Sequence, residues 1–252
     1  MAIKPIEIEA KTILTPQGVG SLSGGYDYSL NPYAGCAFGC SYCYVPKFPN
    51  ARHEGKDWGT WVEVKINAPQ LIARDRLKVF GSRIFFSSAT DPYQYLELKY
   101  RLSRRCLQML LLYKPEFITM HTRSHLILQD IGLLKKFGKR LRVGVSIPTD
   151  DEYIKQQFEP NAPSIKRRLE LITMLHEADI NVHASLSPLL PCNADRLVEL
   201  VKPYVRRIWI DSIHWLEINN KPELLKEYSG FFNTKNYRQT IEYIKTSFYN
   251  SR

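Results

Sequence analysis

Asn31-Pro-Tyr-Ala-Gly-Cys-Ala-Phe-Gly-Cys-Ser-Tyr-Cys-Tyr44 places Cys36, Cys40 and Cys43 at a C-x3-C-x2-C spacing, with an aromatic residue just before the third cysteine. Three neighbouring thiolates can hold three corners of a cubic iron–sulfur cluster and leave its fourth iron open to a ligand from outside the protein. Electron-transfer clusters are usually closed by four cysteines, so a three-thiolate loop reads as a cluster that works on what it binds. Two plainer readings fit less well. Zinc takes four Cys or His ligands, and the nearest following histidine, His53, lies beyond a Pro/Lys-rich stretch at no common finger spacing. A disulfide framework is disfavoured by an odd count: there are five cysteines, three of them within residues 36–43.

Length and composition bound the rest. The chain has 252 residues, of which 44% are hydrophobic, enough for one large α/β domain with a substantial core. Its first residues carry no apolar core of signal-peptide length, and the longest apolar run, near 107–112, is too short to span a bilayer. A cytoplasmic protein with no membrane partner is expected, in a compartment that keeps thiols reduced. The formal net charge is +10. Basic residues cluster at Arg101-Leu-Ser-Arg-Arg105, at 135–142, at Lys166-Arg-Arg168 and at Arg206-Arg207. Such a surplus favours a polyanionic partner, nucleic acid above all, although a solvated Lys/Arg-rich surface gives the same count. No zinc-finger, helix-turn-helix or RNP pattern accompanies it.

From about residue 60 onward, short apolar β-rich runs alternate with helical patterns. Buried strands are expected over 84–88, 117–121, 141–147, 180–186 and 207–211, and helices over 68–79, 101–113, 124–137, 164–178, 193–201 and 236–249. The helix at 164–178 has the clearest signal: Ser164 supplies a cap, and Leu169, Ile172 and Leu175 fall at helical spacing. With an early strand before Cys36, about six βα units result. The expected fold is a partial (β/α)6 barrel, a parallel sheet with outer helices. Residues 1–25 are expected to form an irregular extension, and 26–252 one core domain ending in a helix. In parallel barrels the working residues gather at the C-terminal ends of the strands. That rule selects the polar segments 87–93, 121–124, 146–149 and 187–191.

Several of these segments match one family. The chain resembles the radical S-adenosylmethionine (SAM) enzymes, and within them the spore-photoproduct-lyase-like group, often labelled DNA repair photolyase-like. The resemblance rests on the cysteine run, Ser88-Ala-Thr-Asp-Pro-Tyr-Gln94, Thr122-Arg-Ser124, Glu159-Pro-Asn-Ala-Pro-Ser164 with Arg167-Arg-Leu169, and Ser187-Pro-Leu-Leu-Pro191. It covers residues 25–215. It implies a [4Fe–4S] cluster, SAM chelated to the open iron, and an external electron donor. One electron then cleaves SAM to methionine and a deoxyadenosyl radical that takes a hydrogen atom from the substrate.

The resemblance also implies residue roles. Cys36, Cys40 and Cys43 are the cluster ligands, and Tyr42 lies against the adenine of SAM. Ser88, Thr90 and Asp91 meet its amino group. Arg123, where relatives carry Lys, meets its carboxylate, with Arg168 or Arg167 as a further cation. Ser146 bonds the ribose, Glu159 orients that arginine or the ribose, and Ser187 contributes at the same mouth. Tyr44 is a candidate hydrogen relay and Cys192 a candidate thiol donor. The lyases carry a hydrogen-donating cysteine where this chain has Ser88, and a serine O–H bond is too strong for that task. The chain is therefore expected not to be a spore photoproduct lyase. The alternatives are a SAM- and cluster-binding sensor and an enzyme that modifies protein.

Overall fold

The computed structural model describes residues 3–19, 22–48, 53, 55–210 and 221–250. Ten strands are present among them: β1 (Ile6–Ile8), β2 (Leu14–Pro16), β3 (Tyr28–Leu30), β4 (Tyr33–Ala34), β5 (Glu63–Lys65), β6 (Arg83–Phe86), β7 (Phe117–Thr122), β8 (Leu141–Ser146), β9 (Val182–Ser185) and β10 (Ile208–Trp209). Seven form one sheet in the order β10-β9-β8-β7-β6-β3-β2. The six from β3 to β10 run parallel, and β2 pairs antiparallel at the edge. Helices Leu102–Tyr113, Ile131–Lys135, Ile165–Glu177 and Ala194–Val201 connect successive parallel strands from β6 to β10. This is the expected partial barrel of six βα units. Asp211, the last residue of the strand expected over 207–211, lies outside the described residues.

One face of the sheet is apolar because it is covered by the connecting helices. Ile84, Phe86, Ile118, Met120, Val143, Val145 and Ala184 are all fully buried there and belong to one core cluster. Burying each Val, Ile or Phe side chain contributes roughly 1.5–3 kcal/mol. The other face carries Phe85, Thr119, His121, Arg142, Gly144, Ser146, His183 and Ser185, in alternation with the first set. Its curvature follows from one distance. β6 and β10 are four strand spacings apart, about 19 Å on a flat sheet, yet the Phe85 and Trp209 rings lie 6.1 Å apart. The sheet therefore curls until side chains from distant strands meet across its concave face, and it stops short of closure.

The N-terminal stretch departs from expectation. Residues 1–25 are not uniformly irregular: β1 pairs with β5 in a second, three-stranded sheet, and β2 lines the edge of the main one. Strands of three residues are too short to leave a periodic signal. The helix expected over 124–137 is a 3-10 turn, His125–Asp130, followed by Ile131–Lys135. A further helix, Glu152–Phe158, is capped by Asp151, whose side chain accepts from the Tyr153 and Ile154 amides.

Gly144 sits in register between His121 and His183 on the neighbouring strands. A methyl group there would lie 2.4 Å from His121 Cδ2 and 2.6 Å from His183 Cε1. The glycine lets the two imidazoles meet, Nε2 to Nε2 at 2.9 Å. Gly144→Ala is expected to destabilise the fold by about 1–3 kcal/mol through overpacking. Urea unfolding measures this, and an unchanged midpoint would show that the pair can simply step aside.

Burial, and then the nearby Arg123, pushes His121 down to about 3, and burial also depresses His183. Both are neutral in the fold, whereas the unfolded chain protonates near 6.5. Between those values the unfolded state holds more protons, so stability rises with pH. The pair's contribution is complete above about 6.5 and is lost as pH falls toward 3. The stability read from urea unfolding should decline by roughly 2 kcal/mol per pH unit from pH 7 to pH 5, about half from each imidazole, and His121→Gln should flatten the slope. An unaltered slope in that variant would assign the acid sensitivity elsewhere.

Candidate active site

The cysteine loop follows β4 and sits at the C-terminal end of the parallel strands. Gly35 opens it with φ +79, and its missing side chain makes room for Trp61, whose carbonyl would lie 2.4 Å from a methyl group there. Cys36 and Cys40 are buried and Cys43 is half-buried, and none is in a disulfide. Phe38, Tyr42, Phe158 and Leu190 pack around the loop in a cluster separate from the main core. Burial raises all three thiols, Cys36 to about 11, Cys43 to about 12 and Cys40 further. Three buried thiols so raised ionise only when positive charge compensates them.

The loop is fastened to the strand ends on every side. After β6, Ser87 adopts φ +67, an uncommon conformation for a residue with a side chain. The Thr90 hydroxyl donates to the Gly35 carbonyl at 2.6 Å, and Gln94 Oε1 accepts from the Ala37 amide at 2.9 Å. The Tyr44 hydroxyl donates to the Ser88 carbonyl. Asn31 donates to Ser88 Oγ at 3.3 Å and accepts from the Ala89 amide at 2.8 Å. Asp91 is buried and engaged through both oxygens. One accepts from Thr122 Oγ1 and the Tyr93 amide, the other from the Arg123 amide at 2.8 Å.

Glu159 is the centre of the site. It follows helix Glu152–Phe158 and is completely buried. Its Oε1 accepts from Arg123 Nε at 2.7 Å and from the Tyr42 hydroxyl. Its Oε2 lies 2.6 Å from Arg168 Nη2. Arg123 Nη2 also donates to the Tyr42 hydroxyl at 2.7 Å. Burial alone would raise this carboxyl, but Arg168 and Arg123 overcome it and hold it at about 2. Glu159 Oε1 is 4.0 Å from the Cys40 sulfur, so the ion-pair network reaches the loop directly.

The structure brings Tyr42, Tyr44, Ser88, Thr90, Asp91, Arg123, Glu159 and Arg168 into one connected network with the cysteines. It sorts them differently from expectation. Arg168 is wholly buried, and its remaining donors go to the carbonyls of Pro163 and Ser146 at 2.9 and 3.1 Å. It anchors Glu159 from the interior, with its Nε and Nη1 turned to backbone carbonyls and no face open to solvent. Arg167 lies outside the network, 3.4 Å from His125 Nε2. Ser187 Oγ donates to the Trp209 carbonyl at 3.5 Å, away from the loop. Cys192 packs against the main core, and burial raises it to about 12. Asn31 and Gln94 have no role in the sequence reading although both lie inside quoted motifs; His121 opens the polar strand-end segment 121–124, whereas His183 leaves no sequence signal.

The donor set fits a cluster and a polar cofactor. Beside the three cysteines, Ser41 Oγ and Ser87 Oγ are buried without a hydrogen-bond partner, and such groups normally have one. Among the described residues no group of three His, Cys, Asp or Glu converges as ligands of a single ion would.

The Radical SAM superfamily model matches residues 30–202. The chain belongs to the radical SAM superfamily, whose cofactors are a [4Fe–4S] cluster and SAM. It is 31% identical to an uncharacterized protein of Methanocaldococcus jannaschii, over 88% of this chain and 85% of that one. It is 32% identical to an uncharacterized protein of Acidianus two-tailed virus, over 77% and 65%. A spore photoproduct lyase structure superposes with a TM-score of 0.61 at 14% identity, covering 78% of this chain and 57% of the lyase. SuiB of Streptococcus suis, bound to its precursor peptide SuiA, gives 0.53 at 13% identity, covering 83% and 46%. The chain thus spans only about half the length of these solved structures. Among the described residues no helix is long and apolar enough to cross a membrane.

Removing the charge of Glu159 leaves two guanidinium groups facing each other in the interior. Glu159→Gln is expected to destabilise by about 3–5 kcal/mol. Tyr42→Phe, which removes the hydroxyl's two bonds to charged groups but leaves the ion pairs in place, should cost about 1.5–3 kcal/mol. Urea unfolding of both variants checks the order, and a Gln variant as stable as wild type would mean the network is not held by charge.

Proposed function

We propose that this chain cleaves SAM reductively and abstracts a hydrogen atom from a nucleic-acid or nucleotide substrate, with Cys36, Cys40 and Cys43 as cluster ligands. The observation that carries this reading is the trio of cysteines, two buried and one half-buried and all free of disulfides, beside an arginine that keeps part of its surface open. Cys36, Cys40 and Cys43 would hold the cluster, which with SAM bound would supply one-electron chemistry at the mouth of the barrel. The protein binds, orients and excludes water.

Arg123 is the residue we assign to the SAM carboxylate. Its side chain is 19% exposed, whereas those of Glu159 and Arg168 are 0% exposed. Guanidinium groups suit carboxylates, and Glu159 holds this one by its Nε edge. Glu159, Arg168, Asp91 and Thr90 are positioning residues: they fix Arg123, Tyr42 and the loop. Tyr42 is the adenine neighbour, and Ser146 the ribose contact. Tyr44 bridges the loop to the Ser88 carbonyl and stands closest to a relay role. The nucleic-acid class rests on the +10 charge and on the likeness to spore photoproduct lyase, one structure of which holds a dinucleoside spore photoproduct. Ser88 stands where a lyase-type donor thiol is needed, so the reaction is not photoproduct reversal. That same serine favours one second reading, a cluster protein that binds SAM without turnover.

The test is anaerobic. Wild type with a reconstituted cluster, SAM and a strong reductant should release deoxyadenosine, read by chromatography, and Cys40→Ala should release none. SAM binding by a correctly formed cluster, with no deoxyadenosine even when oligonucleotide is supplied, would favour the sensor.

A further inference from the structure

The concave face has a second mouth. At the N-terminal ends of the strands, opposite the cysteine loop, lies a cavity of about 600 Å³. Thr119, Arg142 and His183 line it from the sheet, and Arg207 and Trp209 from β10 and its approach. Lys245 closes it from the last helix, Thr234–Tyr249. From Thr119 to Arg123 the strand rises four residues, about 13 Å, with the His121–His183 layer between.

The polar groups of this cavity are poorly satisfied. His183 is 3% exposed, and its Nδ1 has no partner, since Nε2 is taken by His121. Arg142 Nε is likewise buried without a partner. Among the described residues no carboxylate pairs with Arg142 or Arg207. The field of Arg207 and Arg83 bears on Arg142 with the same sign. The acidic groups nearby have other partners: Glu116 pairs with Arg83, and Glu242 with Lys245 at the rim. Unpaired like charges around a cavity, with orphaned N–H groups in its wall, are an anion's complement. Trp209 adds an aromatic wall on which a planar base can stack.

We propose that this cavity is a binding site for the phosphate of a nucleotide, with Arg142, Arg207 and His183 Nδ1 as its donors and Trp209 beside the base. The proposal deepens the nucleic-acid reading above and rests on it for the ligand's class, but the cavity lies at the opposite end of the barrel from the cysteines. The ligand is either a free nucleotide or one unit of a strand, since both present the same phosphate. A phosphate here leaves the rest of a nucleotide directed at the His121–His183 layer, beyond which the cofactor end begins.

Binding is measured with the cluster-loaded full chain at low salt, without reductant and with saturating SAM, so that adenine at the cofactor end is already displaced. The probes are AMP, adenosine, inorganic phosphate and fluorescein-labelled dT10. AMP or dT10 should bind, adenosine should not, and phosphate should compete. The Arg142→Gln/Arg207→Gln double variant should weaken binding at least tenfold, while Arg142→Lys/Arg207→Lys retains most of it. Both double variants should keep the cluster absorbance and the deoxyadenosine yield of wild type, which separates failure of this site from failure of the radical chemistry. AMP without dT10 identifies a free nucleotide, and dT10 with AMP a strand. Binding unchanged in the Gln variant, adenosine binding as tightly as AMP, or no binding by any probe would overturn the proposal.

Discussion

The Glu159 carboxylate, held between Arg168 and Arg123, is the constraint on which the rest of the site depends. A lone buried carboxylate is strongly disfavoured, and two buried guanidinium groups without it would be worse. Together they leave one surplus positive charge, placed beside three sulfurs that become anionic once they hold metal. The same carboxylate takes the Tyr42 hydroxyl from the cysteine loop. One side chain thus fastens a loop from residues 35–43, a strand end at Arg123 and a helix at Arg168. The loop has little regular structure of its own, and its position comes from these ties and from Thr90, Gln94 and Tyr44.

The curl of the sheet sets up the second consequence. Because Phe85 and Trp209 meet across the concave face, that face is a channel rather than an open wall. Its middle is closed by aromatic and imidazole rings, with His121 packed at 5.0 Å from both Phe85 and Trp209. Both imidazoles are neutral, so the plug carries no charge between two charged mouths. One mouth is built around thiols and an ion-pair network with one surplus positive charge. The other is built around Arg142 and Arg207, with which no carboxylate pairs among the described residues. A single strand, β8, runs from one to the other: Arg142 at its start, Gly144 at the plug, Ser146 at its end. Each faces the same side because a strand repeats every two residues.

Much of this was legible in the sequence, for identifiable reasons. The strands at 84–88, 117–121, 141–147 and 180–186 are short, β-rich stretches with a buried apolar residue at every second position, so they stood out between the helical patterns. The cysteine spacing is local, and so needs no tertiary knowledge. Arg168 was legible in principle: Ile165, Arg168, Ile172 and Leu175 form one helical stripe, and a charged residue on a buried stripe must have a buried partner. Arg167, one position along, falls off it. The His121–His183 pair was not legible, because its members are 62 residues apart and meet only through strand register and a glycine between them. The three-stranded sheet of β1, β5 and β4 was hidden by strands of two or three residues.

Ser88 shows how the departure from the lyases is built in. Its hydroxyl takes a hydrogen bond from Asn31, and its carbonyl takes the Tyr44 hydroxyl. One bond ties the end of β6 to the end of β3 and the other to the residue that follows the cysteine loop, so the serine fastens the strand end to both. No thiol stands in for the lyase donor. Cys106 is wholly buried among the leucines of helix Leu102–Tyr113, and Cys192 packs into the main core. Under the reaction proposed above, no thiol outside the loop stands in the network around the cysteines, and a hydrogen return from the cofactor or through Tyr44 fits this site better than one from a protein thiol.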